Sequence, residues 1–184
     1  VAQIRRYTVL VVLAVTALFG GLDTVDTKVT DFKPGDAFSD GEFTITIERA
    51  SLVREITAGR KTVAYATPGR RYLGVIATVR NDGTVPGSLW SELALRDLPD
   101  KQFRSVFRVA DGSLAGSLGP GLSDQVAFVW ELPETAIAEG DSVSVRIWKK
   151  RYSQLALTYS PDGKMWLASD TEYGQTTVPV RVPS

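Results

Sequence analysis

The sequence predicts an all-β protein, an immunoglobulin-like antiparallel β-sandwich preceded by one N-terminal transmembrane α-helix. Three observations lead to this prediction: an uncharged apolar run near the N-terminus, period-two alternation of apolar and polar residues from Phe43 onward, and turn-forming residues that divide the alternation into short segments. Eight or nine short strands within about 140 residues favour two packed sheets, and a closed barrel is the alternative.

The first element is the apolar run YTVLVVLAVTALFGGL at residues 7–22, which carries no charged side chain. As an α-helix it would be roughly 24 Å long, so it can span a ~30 Å hydrocarbon core if the preceding arginines snorkel to the headgroups. We therefore expect residues 1–22 to form a transmembrane anchor. A cleavable signal peptide with a cleavage site at Val15-Thr16-Ala17 is the alternative.

The charges around this run predict its orientation. Arg5 and Arg6 precede it, and the acidic residues of the chain all lie at or after Asp23. By the positive-inside rule, the N-terminus is cytoplasmic and the C-terminal domain is extracytoplasmic, so the protein is expected in the cell membrane.

One face of the predicted helix combines large and small apolar side chains, which lets a partner helix approach closely. We expect the lipid bilayer and other membrane-protein subunits as partners of this face. Its residues are Leu10, Leu13, Ala14, Ala17 and Leu18.

Residues 23–42 are rich in Asp, Thr, Pro and Gly and show no sustained periodicity, which predicts an acidic juxtamembrane linker. The predicted extracytoplasmic sandwich occupies residues 43–184 and includes an extra C-terminal hairpin from Ser153 to Pro183. Pro179 predicts an edge position for the last strand, because proline lacks the N–H that a ladder needs.

Alternation assigns an inward-facing set of residues to each main strand. The sets are Phe43, Ile45 and Ile47; Leu73, Val75, Ala77 and Val79; Leu93 and Leu95; Phe103, Phe107 and Val109; Val126, Phe128, Trp130 and Leu132; and Val143, Val145 and Ile147.

The composition excludes several kinds of chemistry. The chain contains neither Cys nor His, which excludes disulfides, thiol nucleophiles, Ser-His-Asp triads and the usual zinc sites. No G-x-S-x-G, S-x-x-K, P-loop or G-x-G-x-x-G motif occurs, and a formal net charge of +0 indicates no nucleic-acid surface. We expect a protein that is not an enzyme and has no cofactor or metal. The composition leaves open acid/base catalysis by two carboxylates, but no pair stands out in the sequence.

A basic and aromatic stripe is predicted on the strand SVSVRIWKKRY. If its three aliphatic residues face the core, four other side chains share the opposite face. Such a stripe suits a sugar ring, a phosphate-bearing lipid or a protein hot spot. Alternatively, the C-terminal hairpin covers this face and buries Trp148 in a second core. The four residues are Arg146, Trp148, Lys150 and Tyr152.

A second candidate site is a cationic loop. Arg60 and Lys61 lie before the segment TVAYATPG, and Arg70 and Arg71 lie after it. If this segment is a hairpin or loop, the four cations lie beside each other and suit an anionic headgroup or cell-wall polymer. Solvated loop charge is the alternative.

The order of turns and strands resembles the telokin-like, immunoglobulin-like domains of bacterial membrane-anchored and lipoprotein surface proteins, most of which have no known function. The resemblance rests on Val75 to Gly83, Leu95 to Phe103, Leu118 to Gly121 and Val126 to Pro133. It implies an extracytoplasmic sandwich and provides no catalytic residues to transfer to this chain. The chain departs from these lipoproteins because it has no lipobox cysteine.

Together these patterns predict a non-catalytic single-pass accessory subunit of a larger bacterial membrane complex, whose sandwich caps or stabilises the extracytoplasmic face. The alternative is a stand-alone membrane-anchored surface protein that binds a cell-envelope glycan or lipid.

Overall fold

The computed structural model describes residues 26–58, 61–154 and 164–183, and this part of the chain contains strands and no helix. The all-β prediction is therefore confirmed. The strands are β1 (Lys28–Asp31), β2 (Ala37–Ser39), β3 (Phe43–Val53), β4 (Glu55–Ala58), β5 (Lys61–Tyr65), β6 (Arg70–Asn81), β7 (Gly87–Ser88), β8 (Ala94–Leu95), β9 (Gln102–Arg108), β10 (Ser117–Leu118), β11 (Ser123–Pro133), β12 (Ser142–Gln154) and β13 (Lys164–Arg181).

Seven strands form a continuous hydrogen-bonded path in the order β8-β12-β13-β3-β6-β11-β9. β13 pairs with β12 and then joins β3 at Val180 and Arg181, so it passes from one sheet into the other. The sheet of β1, β13, β12 and β8 faces the sheet of β2, β3, β6, β11 and β9, which gives a sandwich-like fold. In the described residues β8 and β9 do not pair, so the alternative of a closed barrel is not met.

Most pairs are antiparallel, as predicted, but two are parallel. β1 pairs in parallel with β13 from Lys28↔Glu172 to Asp31↔Gln175, and the short β13 to β3 contact is also parallel. A parallel partner requires a crossover between the two strands. β1 and β13 lie near opposite ends of the described chain, so the strands from β2 to β12 form the connection between them.

One hydrophobic core lies between the sheets. The inward sets predicted for β3, β6, β11 and β12 are all buried, which confirms the alternation in these strands. Each fully buried large apolar side chain stabilises the fold by roughly 1.5–3 kcal/mol. The largest fully buried apolar side chains include Phe43, Phe128, Ile45, Ile47, Leu52 and Leu73.

The inward set predicted for β9 is wrong beyond Phe103. Trp130 pairs with Phe103, whereas Val129 pairs with Ser105, so a β-bulge at Arg104 shifts the alternation by one residue. Val106 therefore enters the core, and Val109 is 39% exposed.

The linker predicted for residues 23–42 is corrected from Lys28 onward, because β1 and β2 are strands of the sandwich. Phe38 on β2 is 6% exposed and stacks on Phe32 with ring centroids 5.0 Å apart. Two isolated phenylalanines produce no periodic pattern, so the sequence gives no strand signal here. The sandwich therefore begins before Phe43.

β13 is an interior strand along part of its length, with β12 on one side and β1 or β3 on the other. Over residues 176–179 β12 is its only partner in the described chain, so the edge position predicted from Pro179 is found locally. The N–H of Val180 donates to the carbonyl of Asp141, so the Pro179 nitrogen, one residue earlier, faces away from β12. The missing N–H therefore costs no ladder bond. Residues 155–163 of the predicted hairpin lie outside the described residues.

We expect Gly174→Ala to lower the free energy of unfolding by about 1–3 kcal/mol, because a Cβ there would lie 2.5 Å from ring atoms of Phe38. Gly74→Ala is the matched control on β6, where the nearest atom is the Ser51 carbonyl oxygen at 4.0 Å. Equilibrium urea unfolding measures both. Equal changes in the free energy of unfolding would show that the packing of the Phe38 ring does not require a glycine at position 174.

Candidate functional site

The outer face of β12 and β13 holds the first candidate site. Val143, Val145 and Ile147 point into the core, so Arg146 and Trp148 point outward and are half-buried. The ladder pairs Arg146 with Gln175 and Trp148 with Tyr173, so residues of β13 complete this surface. We call Arg146, Trp148, Tyr173 and Gln175 the β12–β13 face.

A break in the ladder separates the predicted four-residue stripe into two faces. Trp148 pairs with Tyr173, but Lys150 pairs with Ala168, so residue 149 and residues 169–172 have no partner in this ladder. The irregularity inverts the alternation, and the Lys150 side chain turns inward. Tyr152 then follows Lys150 and packs on Trp166, with centroids 5.1 Å apart. The prediction that all four residues share one face is therefore wrong.

The β12–β13 face is a packed group of planar side chains. The Arg146 guanidinium carbon lies 4.1 Å from the centroid of the Tyr173 ring, and its Nε donates to Gln175 Oε1 at 2.9 Å. Trp148 meets the Tyr173 ring edge to face, with centroids 4.9 Å apart and planes at 65°. Tyr173 is 6% exposed, so it supports the two outer side chains from below.

Arg146 lacks a charged partner on the described surface. Six other arginines in this part of the chain lie within 4.0 Å of a carboxylate, namely those at positions 49, 54, 71, 80, 104 and 108. Within the described residues Arg146 contacts the neutral Gln175 and the Tyr173 ring and, like the arginines at positions 70, 96, 151 and 181, no carboxylate. Its two terminal nitrogens are therefore held in place and remain available for a carboxylate, phosphate or sulfate.

A cleft of about 310 Å³ lies beside Gln175. It forms because β1 ends at Asp31 while β13 continues, and β3 joins β13 only at Val180. Asp31, Lys33 and Thr177 are among the residues that line it. The cleft therefore offers polar groups beside Gln175 of the β12–β13 face.

Lys150 occupies a buried charged cluster inside the domain. Its Nζ lies 2.6 Å from Glu42 Oε2 and 3.9 Å from Asp40 Oδ2, and it also contacts Glu92 Oε1. The three carboxylate side chains are at most 5% exposed, and the Lys150 side chain is 12% exposed. The Phe43 ring lies below the ammonium, with its centroid 4.8 Å away. We call Asp40, Glu42, Glu92 and Lys150 the buried quartet.

The buried quartet has more carboxylates than ammonium groups, and this excess shifts its protonation. Burial and, to a smaller extent, the carboxyl of Asp40 raise the pKa of Glu92 to about 8 against the opposing effect of Lys150. Neither Glu92 Oε2 nor Asp40 Oδ2 has a donor, so a proton held between them satisfies both oxygens. The carboxylates raise the pKa of Lys150 despite its burial, which keeps the ammonium paired with Glu42.

The predicted cationic loop does not bring Arg70 and Arg71 together. Arg70 donates to the carbonyl oxygens of Asp100 and Glu131 at 2.7 and 3.0 Å, whereas Arg71 lies 3.9 Å from the Glu134 carboxylate. Neighbouring positions on a strand point to opposite faces, so the two arginines serve different parts of the surface. Arg60 and the side chain of Lys61 lie outside the described residues.

The predicted membrane-helix residues Leu10, Leu13, Ala14, Ala17 and Leu18 also lie outside the described residues. In the three described ranges, no helix has the length and apolar character needed to cross a bilayer. These ranges also contain no group of three or more acidic side chains arranged to hold a metal ion.

Comparison with solved structures supports the architecture. An uncharacterized β-sandwich protein from Clostridium difficile has a TM-score of 0.55 to this chain at 12% sequence identity, over 84% of this chain and 99% of that one. The chain has a β-sandwich fold. The sequence identity is too low for the similarity to show more than the fold.

Two Bacillus subtilis structures are more distant. A candidate lipoprotein matches with a TM-score of 0.40 at 12% identity, over 78% of this chain and 38% of that one, and the yjhA protein has a TM-score of 0.39 at 19% identity, over 78% and 98%. No family model and no curated protein matches the sequence. The telokin-like assignment therefore stays a prediction.

Sequence reasoning missed Tyr173, Gln175 and the acidic members of the buried quartet. The two β13 residues could be found only from the register of the ladder, which the break at residue 149 changes. Asp40 and Glu42 lie in the segment predicted as a solvated linker, where acidic residues look ordinary. No local signal distinguishes Glu92 from a surface glutamate.

We expect Lys150→Met to lower the free energy of unfolding by about 3–5 kcal/mol, because it leaves buried carboxylates without their cation. Lys33→Met removes an exposed ammonium that makes no ion pair in the described chain and should change stability by less than about 0.5 kcal/mol. Equilibrium chemical unfolding of both variants measures the difference. Similar stabilities would contradict a structural role for the buried quartet.

Proposed function

We propose that this protein is a non-catalytic, single-pass accessory subunit of a bacterial membrane complex, and that its β12–β13 face binds a protein partner on the extracytoplasmic side. The observation that carries the proposal is Arg146, which is stacked on Tyr173 and fixed by Gln175 but has no carboxylate partner in the described chain. The Arg146 guanidinium is fixed in orientation and has no anionic partner in the described chain, so it suits a protein partner that supplies the negative charge.

The composition of this face supports a protein partner. Trp, Tyr and Arg are the residues most enriched at the energetic centres of protein interfaces. Trp148 and Arg146 are half-buried on a strand whose other side is in the core, so they lose little freedom on binding. Contacts of this kind need neither a catalytic group nor a cofactor.

The membrane part of the proposal rests on sequence. Residues 7–22 form an uncharged apolar run, and Ala14 and Ala17 would let a partner helix approach its large neighbours Leu13 and Leu18. The immunoglobulin-like, telokin-like assignment agrees with an extracytoplasmic position. In this proposal the helix docks in the membrane while the sandwich caps the same partner outside it.

A second candidate function is binding of a cell-envelope glycan or lipid headgroup. The cleft favours it, because Asp31, Lys33 and Thr177 place hydrogen-bonding groups beside Gln175, which accepts a hydrogen bond from Arg146 Nε. A small polar ligand could use the cleft and the free nitrogens of Arg146 together.

Affinity purification of the full chain from its native host in mild detergent tests the first function. We expect a polytopic membrane protein to co-purify in stoichiometric amount, and its recovery to fall at least tenfold with the double substitution Arg146→Ala and Trp148→Ala. The matched control is Tyr152→Ala, which removes a 42% exposed aromatic from the other face of β12 and should leave recovery unchanged.

Replacement of residues 7–22 by an unrelated spanning helix should also reduce recovery of the partner. Purification of the protein alone would overturn the accessory-subunit proposal. In that case, quenching of tryptophan fluorescence by a cell-envelope polymer, lost in Trp148→Phe, would support the second function.

A further inference from the structure

The buried quartet brings an amine and a carboxyl group into contact away from water. Lys150 extends from β12, and Glu92 lies two residues before β8, so the two are distant in sequence but adjacent in the fold. Glu92 is 3% exposed, and Lys150 Nζ lies over the Phe43 ring. Holding two reactive groups in contact at an apolar site replaces a bimolecular encounter with a unimolecular step.

We propose that the Lys150 amine and the Glu92 carboxyl group condense to form an intramolecular amide crosslink. The carboxylates raise the pKa of Lys150, so its free amine is a minor state, which forms when the ammonium gives a proton to the carboxylate of Glu42, whose Oε2 lies 2.6 Å from Nζ. The free amine then attacks the carbonyl carbon of neutral Glu92, and a carbon–oxygen bond breaks to release water. One N–C bond forms, one molecule of water leaves, and no oxidant, reductant or cofactor takes part.

Each neighbouring group has a role in this condensation. Glu42 accepts the proton that makes Lys150 nucleophilic, and Asp40 shares the proton of the Glu92 carboxyl, which can protonate the departing oxygen. Burial keeps Glu92 neutral, since its pKa is raised to about 8, and a neutral acid is a better electrophile than a carboxylate. Exclusion of water from the site also favours the amide over its hydrolysis.

The crosslink would fasten the edge of the sheet. β8 is two residues long and pairs with β12 only at Leu95↔Val145 and Ala94↔Arg146. An amide between Glu92 and Lys150 ties this short strand to its neighbour with a covalent bond. The chain has no cysteine, so this bond would do the work of a disulfide without depending on the redox state of the surroundings.

Intact-mass spectrometry of the denatured, full-length protein tests the proposal. We expect the wild-type mass to be about 18 Da below the mass calculated from the sequence, and Lys150→Arg to have its full calculated mass. Arginine keeps the positive charge, but its guanidinium stays protonated and does not attack a carboxyl group. If Lys150→Arg does not fold, the peptide map of the wild-type protein tests the crosslink without a variant.

Peptide mapping locates the lost water. Trypsin should release a branched peptide that joins residues 81–96 to the dipeptide Lys150-Arg151. Ring closure at an Asp-Gly pair such as Asp82-Gly83 also removes water, so a loss mapped to such a pair overturns the proposal. A full wild-type mass after days at neutral pH also overturns it. If the bond forms slowly enough to follow, its rate should fall as the pH rises above about 8, where Glu92 ionises.

Discussion

The contact between Lys150 Nζ and the Glu42 carboxylate is the interaction on which this domain depends. It joins β12 to the turn between β2 and β3, and the backbone N–H of Lys150 donates to the Asp40 carbonyl at 2.6 Å in the same place. Asp40 in turn accepts the N–H groups of Glu42 and Phe43 at 2.7 and 2.6 Å. Because an unpaired buried charge costs several kcal/mol, the position of each partner fixes that of the others.

The inward position of Lys150 also determines which side chains of β12 lie on the outer face of the sandwich. For Lys150 to point inward, the alternation of β12 must change between Trp148 and Lys150, and the ladder irregularity supplies that change. The same irregularity leaves Arg146 and Trp148 as the outward pair and adds Tyr173 beneath them. The buried cluster and the exposed face are therefore two results of one break in the strand. A substitution that restored regular pairing would alter both.

Alternation in the sequence predicts the strands whose pairing is regular and fails where a ladder is irregular. β6 and β11 pair without interruption, and their inward residues are predicted correctly. Both face errors, at Arg104 on β9 and at Lys149 on β12, occur where the pairing skips a residue. Such a skip depends on the partner strand, so no pattern within one strand can reveal it. β1 gives no such pattern, because its four residues are exposed and its partner β13 lies near the other end of the domain. β2 is three residues long and buries Phe38 alone, which is too short for an alternation.

The parallel pairing of β1 with β13 has a mechanical consequence. β1 is the first strand of the domain, so tension on the chain preceding residue 26 reaches the sandwich through it. Four residue pairs, the N–H of Phe32 and the salt bridge between Lys28 and Glu172 hold β1 along its length. A pull directed along β1 loads these contacts together in shear instead of breaking them one after another. The first strand of the domain is therefore suited to carry force from its N-terminal side into the sheet.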